Sequence, residues 1–417
     1  MQFEEKEFAQ KLRDYAELIA VHGLNVQPNQ LVHLSGEVAH RELLLLLSEQ
    51  CYRRGASLVQ TEILDSRFSR QRIDLSGDEY LQFLPDYIPA KYNYFVEHEV
   101  ASAKIVGPEY PLIMKGANPK KTNTVRKAAY ESRKRFYEEG IDKSRVHWTV
   151  VAASTEGWGA RIYPERSPKD AMKALWEDLF TFCRIGNGDH LEQWKRHDDE
   201  LQNRARHLSS LGIEELHFQS EGTDLRVGLS SRAKFQGGRS RSTRGVLFEP
   251  NLPTEECFTT PNWRACYGKV RATRPFYVNG ELIQDLQMTL QDGEITSFSA
   301  SQGEDVFREY IQSDEGANRL GEVALVSVSS PIFQSGRVYE EILLDENAAC
   351  HIAIGSAYRF CVNLPEDSTD DQFQELGCNS SSVHTDIMIS DETTRVSARC
   401  SNGEEISIIR DGDWDFE

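Results

Sequence analysis

The feature that most constrains this chain is a change of texture at Gly212. Before it, strand-like and helix-like segments alternate. Leu31-Val32-His33-Leu34 reads as a short strand, Val38 to Arg53 with its leucine run as a buried helix, Ser57 to Thr61 as another strand and Arg145 to Ala153 as a longer one. Ser167-Pro168 caps and opens a helix reaching Phe182, and a second helical stretch runs from Gly188 to Leu211. Such alternation builds a sheet with crossover helices. After Gly212 come short alternating runs, separated by Glu221-Gly222, Asn279-Gly280, Asp292-Gly293, Asn402-Gly403 and Asp411-Gly412. Asn-Gly and Asp-Gly supply the positive φ that tight hairpins need at both turn positions. The sequence therefore predicts an N-terminal α/β domain, residues 1–200, and a mainly antiparallel α+β domain, residues 201–417. The boundary is expected within Ile185 to Leu211. A length of 417 residues agrees, since it exceeds the size at which one hydrophobic core stops growing.

Composition removes several functions. The formal net charge of -19 repels phosphate backbones and anionic membranes, so nucleic acid is not expected as a partner. Lys120-Lys121, Arg126-Lys127 and Arg133-Lys134-Arg135 lie among acids in a helical stretch and read as a solvated helix face. No stretch approaches the roughly 20 apolar residues of a membrane span. The acidic opening Met1 to Lys6 resembles neither a signal nor a transit peptide, so a cytoplasmic location is expected. The eight cysteines contain no close CxxC pair and read as buried free thiols.

Chemistry concentrates in three segments of the second half. In Glu249 to Phe258 two prolines hold the backbone extended before the acidic pair Glu255-Glu256, which reads either as a rigidly presented carboxylate or as the first turn of a helix capped by Thr254. In Leu320 to Val326, Glu322 heads an apolar strand, as either a buried acid or a turn residue. The third segment pairs His351, in a small-residue context, with Val383-His384-Thr385-Asp386-Ile387. On a strand His384 and Asp386 point to one face, where they suit either a shared cation or a structural imidazole–carboxylate hydrogen bond.

Leu252 to Thr259, Asp314 to Glu322, Asp345 to Tyr358 and Asn379 to Met388 together resemble, in order, the signature blocks of the thermophilic-type metalloaminopeptidases, aminopeptidases T and S. The resemblance is strong from Gly222 to the C-terminus. It implies that the second domain is catalytic and that Glu256, Glu322, His351, His384 and Asp386 ligate two divalent ions (zinc, cobalt, manganese or magnesium). Tyr358 is implied to assist catalysis. Glu255 competes with Glu256 for the ligand position and is otherwise a candidate for amine recognition or proton transfer. The resemblance further implies peptide substrates with a free N-terminus and a homodimer. Cys257 and Cys350, beside proposed ligands, are expected to stand outside a hard site of oxygen and imidazole donors. Such ligands suit ions about 3.5–4 Å apart acting on a peptide carbonyl and a water. Two alternatives stay open: a mononuclear non-haem iron oxygenase using His351, His384 and Asp386, and an inactive peptide-binding homologue.

Overall fold

The computed structural model describes residues 2–186, 188–365 and 368–416. It separates into two compact units, the chain up to Arg196 together with Arg239–Pro253, and His197–Gly238 together with the chain from Thr254 onward. The return of Arg239–Pro253 to the first unit is a feature the sequence texture does not announce.

The first unit holds a five-stranded parallel sheet in the order Leu58–Leu64, Leu31–Glu37, Ala101–Val106, His147–Ala152, Asn251–Leu252. Parallel neighbours need crossover connections, and helices Arg41–Arg53 and Tyr87–Glu97 lie between consecutive strands. Ser167 caps helix Pro168–Phe182 by accepting from the Asp170 backbone N–H, with Pro168 in the first turn. The basic helix Pro119–Arg135 buries none of its residues, consistent with a solvated face. The final strand, Asn251–Leu252, comes from the returning segment.

The second unit carries an eight-stranded sheet whose pairings are antiparallel throughout, running from Glu294–Ser299 at one edge to Asp413–Trp414 at the other. The glycine-containing turns close hairpins here. Ser220 pairs with Thr223, Gln291 with Glu294, and Arg410 with Asp413. Asp292 and Asp411 both have φ of 52°, the left-handed region those turns demand. A separate four-stranded antiparallel sheet has the order Cys257–Thr259, Leu320–Leu325, His351–Gly355, His384–Met388. One hydrophobic core draws on both sheets, with Leu216, Phe218 and Val227 from the larger and Val323, Leu325, Ile352, Ile354 and Ile387 from the smaller. The fold class is thus the α/β plus antiparallel α+β arrangement expected from the sequence. All eight cysteines are buried and free. Among the described residues no helix is long and apolar enough to cross a membrane.

Candidate metal centre

The four-stranded sheet has one apolar face and one polar face, and register decides which residue goes where. Side chains alternate along a strand, and residues paired across strands share a face. Val323 pairs with Ile352 and Ile352 with Ile387, all on the core side. The other face therefore carries Glu322, opposite Ala353, which is opposite Asp386. Two residues from Ala353 on the same face lie His351 and Gly355, and Gly355 pairs with His384. In the first strand Cys257 belongs to the core, so Phe258 and Glu256 turn to the polar face.

Glu322 reaches that face through an irregularity. Leu320 pairs with Ile354 and Glu322 with the adjacent Ala353, a bulge at Gly321. A bulge residue reverses the alternation beyond it, so Leu320 enters the core while Glu322, two positions on, faces away from it. A Cβ on Gly321 would collide with the carbonyl oxygens of Gly355 and Ser356.

The geometry of the polar face is compact. His351 Nε2 lies 3.2 Å from Glu256 Oε2, 3.7 Å from Glu322 Oε1 and 4.0 Å from Asp386 Oδ1. His384 Nε2 lies 3.4 Å from both Glu322 Oε2 and Asp386 Oδ1. Two groups of possible ligands result, Glu256–Glu322–His351 and Glu322–His384–Asp386, each with donor atoms within 4.8 Å of one another. Glu322 belongs to both, offering one oxygen to each histidine. The other ring nitrogens are engaged behind the site. His384 Nδ1 is 2.8 Å from Ser356 O and His351 Nδ1 is 3.2 Å from Ala349 O. With Nδ1–H donating to a carbonyl, each ring turns a lone pair on Nε2 toward the carboxylates, the tautomer a metal requires.

The surroundings hold this arrangement in place. Asn379 donates from Nδ2 to Gly316 O at 2.8 Å and to Gly355 O at 2.6 Å. Asp314 accepts from Ser382 N, Ser381 Oγ and Gly316 N, which fixes the turn leading into His384. Burial works against the Asp314 charge, but these hydrogen bonds outweigh it and hold its carboxyl below the usual range.

Electrostatics mark the site as unbalanced without cations. Burial opposes charge on His351, yet Glu256, Glu322 and Asp386 raise its pKa well above the ordinary value. His384 is raised in the same way by Asp386 and Glu322. Burial pushes the Glu256 carboxyl up, with His351 opposing and the charges of Glu322 and Asp386 adding to the rise. For Asp386 burial also works upward, but the two histidines overcome it and the net shift is down. A further acid joins them. Glu346 is buried, and burial followed by the charges of Glu256 and Asp386 raises its carboxyl well above the ordinary value. Concentrated buried negative charge is costly unless paired. The donor set of carboxylate oxygens and imidazole nitrogens fits divalent cations, so these residues suit the ions that the sequence implied.

The five ligand candidates from the sequence therefore meet on one face. Glu255 does not join either group. Its carboxylate lies 3.7 Å from His197 Nε2, and its N–H donates to Asn347 Oδ1. The Tyr358 hydroxyl lies 3.4 Å from His384 Nε2, with its ring stacked on Phe360 at 5.0 Å. Cys257 and Cys350 direct their thiols to the carbonyls of Leu201 and Val326. Glu346 was missed as an individual residue. It lies inside the block Asp345 to Tyr358, but no periodicity separates it from neighbouring acids, and only the tertiary fold brings it to this cluster.

Comparison with known proteins follows the same lines. A family model described as thermophilic metalloprotease (M29) matches residues 8–414. Aminopeptidase PepS of Streptococcus thermophilus is 35% identical over 408 residues, 98% of both chains. Aminopeptidase AmpS of Bacillus subtilis is 32% identical over 409 residues, 98% of this chain and 99% of that one. The solved structure of wild-type AmpT from Thermus thermophilus superposes with a TM-score of 0.91 at 33% identity, covering 98% of this chain and all of that one. A 2,5-dihydroxypyridine dioxygenase from Pseudomonas putida KT2440 shares the fold alone, with a TM-score of 0.52 at 12% identity. The matched length and the similarity of nearly the whole chain to these aminopeptidases make it a member of the thermophilic metalloprotease (M29) family.

Proposed function

We propose that this protein is a metal-dependent aminopeptidase that uses two divalent ions to remove N-terminal residues from peptides. The observation that carries this reading is the pair of ligand groups sharing Glu322 on one sheet face. Glu256 and His351 would hold one ion, His384 and Asp386 the other, with Glu322 between them. Charge supports a pair, because Glu256, Glu322, Asp386 and Glu346 bring four buried carboxylates to one cluster, which two dications neutralise. Bound ions of this kind supply electrophilic polarisation of the scissile carbonyl and acidify an attacking water.

The protein's own groups do the rest. The Ser356 and Ala349 carbonyls keep both imidazoles oriented. The Tyr358 phenol, beside His384, donates a hydrogen bond to the oxyanion that develops on the carbonyl oxygen. Glu255, braced against His197, receives the substrate's α-ammonium group. Zinc, cobalt, manganese or magnesium suits the donors. The protein acts in the cytoplasm as a homodimer, and light scattering at micromolar concentration should return twice the chain mass. A monomer with full activity would refute the dimer.

The oxygenase alternative loses support from Glu256 and Glu322, which complete a second ligand group, and the dioxygenase it would follow is alike in fold alone, at 12% identity. The discriminating experiment is a metal-supplemented screen of free and N-acetylated peptides. Release of N-terminal residues from the free peptides alone, abolished by chelation, is expected. Internal cleavage of the blocked peptides would overturn the exopeptidase reading.

A further inference from the structure

A second set of metal-type donors meets in the first unit. Asp14 and Glu17 sit at i and i+3 on helix Gln2–Leu18, so their carboxylates share a face. His190 opens helix His190–Ser210, whose first turn is fixed by the Asp189 carboxylate accepting from the Glu192 N–H. One donor atom from each of Asp14, Glu17 and His190 lies within 4.8 Å of the others. His190 Nε2 is 3.4 Å from Glu17 Oε2.

Hydrogen bonding does not account for this arrangement. His190 Nε2 is buried and has no hydrogen-bond partner although Glu17 Oε2 lies 3.4 Å away, and the side chain is only 12% exposed. The competing cation near Glu17 is Arg54, and its guanidinium is committed to Val26 O at 3.3 Å and Asn25 Oδ1 at 3.0 Å. Asp14 accepts from Gln10 through Oδ1 alone, and an ionised carboxylate has further lone pairs. His22, whose charge is disfavoured by burial and by Arg239, Arg54 and His190, is hydrogen-bonded to the backbone of Leu191.

We propose that Asp14, Glu17 and His190 bind a structural divalent ion of the zinc class, tying helix Gln2–Leu18 to the start of helix His190–Ser210. An imidazole with two carboxylates favours a first-row transition ion over calcium or magnesium, which prefer oxygen alone. Water completes the coordination on the exposed side of Glu17. The ion joins helices remote in sequence and takes no part in peptide hydrolysis. This assignment is independent of the catalytic reading.

The test uses the full chain, stripped with chelator, reloaded with zinc chloride and dialysed against micromolar free zinc. Bound zinc per chain is then read by plasma mass spectrometry. His190→Ala and Glu17→Gln should each retain one equivalent less than the parent while peptide hydrolysis continues. Added to His384→Ala, which addresses the other centre, either change should remove a further equivalent. Far-UV circular dichroism identifies a variant that has failed to fold, and the half-exposed Glu17 then provides the reading in place of His190. Loss of an equivalent in either folded variant supports the site. Unchanged zinc in both overturns it, and because the comparison is a difference, it holds whatever the catalytic centre binds.

Discussion

At the scale of single residues, the roles separate by what each side chain can lose. Under the proposed ligand assignment, removing the His384 imidazole would delete a donor and leave Glu322 and Asp386 to hold an ion alone, so His384→Ala should lose metal and activity together. Tyr358→Phe removes a hydroxyl but keeps the ring that stacks on Phe360. Metal content should stay at parent level while kcat falls on the order of a hundredfold, as when other oxyanion donors are removed. Near-normal kcat in metal-loaded Tyr358→Phe would show the tyrosine to be packing alone. Much of this was legible beforehand. The His-x-Asp spacing already put His384 and Asp386 on one face, because a period of two needs no tertiary information. Glu255 against Glu256 was harder, for the choice depends on which way Cys257 turns. Once that thiol enters the core, parity sends Glu256 to the polar face and Glu255 toward His197. Ala353 carries no chemistry and gave no signal, yet its methyl group lies in register between Glu322 and Asp386, where a larger side chain would fill the space between the two carboxylates.

At the scale of elements, the decisive object is the bulge at Gly321. Alternation alone would send Glu322 into the core with Leu320, and only the inserted residue reverses it. Gly321→Ala should force the strand away from the Gly355 and Ser356 carbonyls, one of which orients His384. Overpacking against backbone costs about 1–3 kcal/mol. We expect a lowered Tm with a larger proportional loss of metal affinity than of stability. Parent-level zinc binding in a folded Gly321→Ala would show that the bulge tolerates a methyl group and that Glu322 does not depend on it. Bulges have no reliable sequence signature beyond a glycine, which is why Glu322 also read as a turn residue. The hairpins were legible for the opposite reason, since their turns need positive φ at positions that Asn, Asp and Gly advertise.

At the scale of the molecule, the metal centre couples to stability. Without ions, His351 is faced by Glu256, Glu322 and Asp386, and His384 by Asp386, Glu322 and the Tyr358 hydroxyl. Both imidazoles titrate above the ordinary value of 6.5, so their contribution is complete below that pH and disappears as pH rises through the raised values. Glu256 and Glu346, raised above 4.5, lose their contributions in the same direction, whereas the lowered Asp386 loses its own only on acidification. The chelated protein should therefore melt at progressively lower temperature as pH rises above the ordinary imidazole value of 6.5, and saturating zinc should flatten that decline as ions replace protons. A flat profile after chelation would mean that the histidines are not held as described. The return of Arg239–Pro253 to the first unit was not legible in the sequence, because a two-residue strand such as Asn251–Leu252 carries too little pattern to be seen. That return makes the protein hard to divide. A single break near residue 200 would leave the segment bearing every proposed catalytic ligand with Asn251–Leu252 stripped of its neighbour His147–Ala152, and the first sheet without its edge. Grafting this centre onto another protein by one crossover is therefore closed off, and the first unit can be exchanged only by three coordinated junctions, the last within a few residues of Glu256.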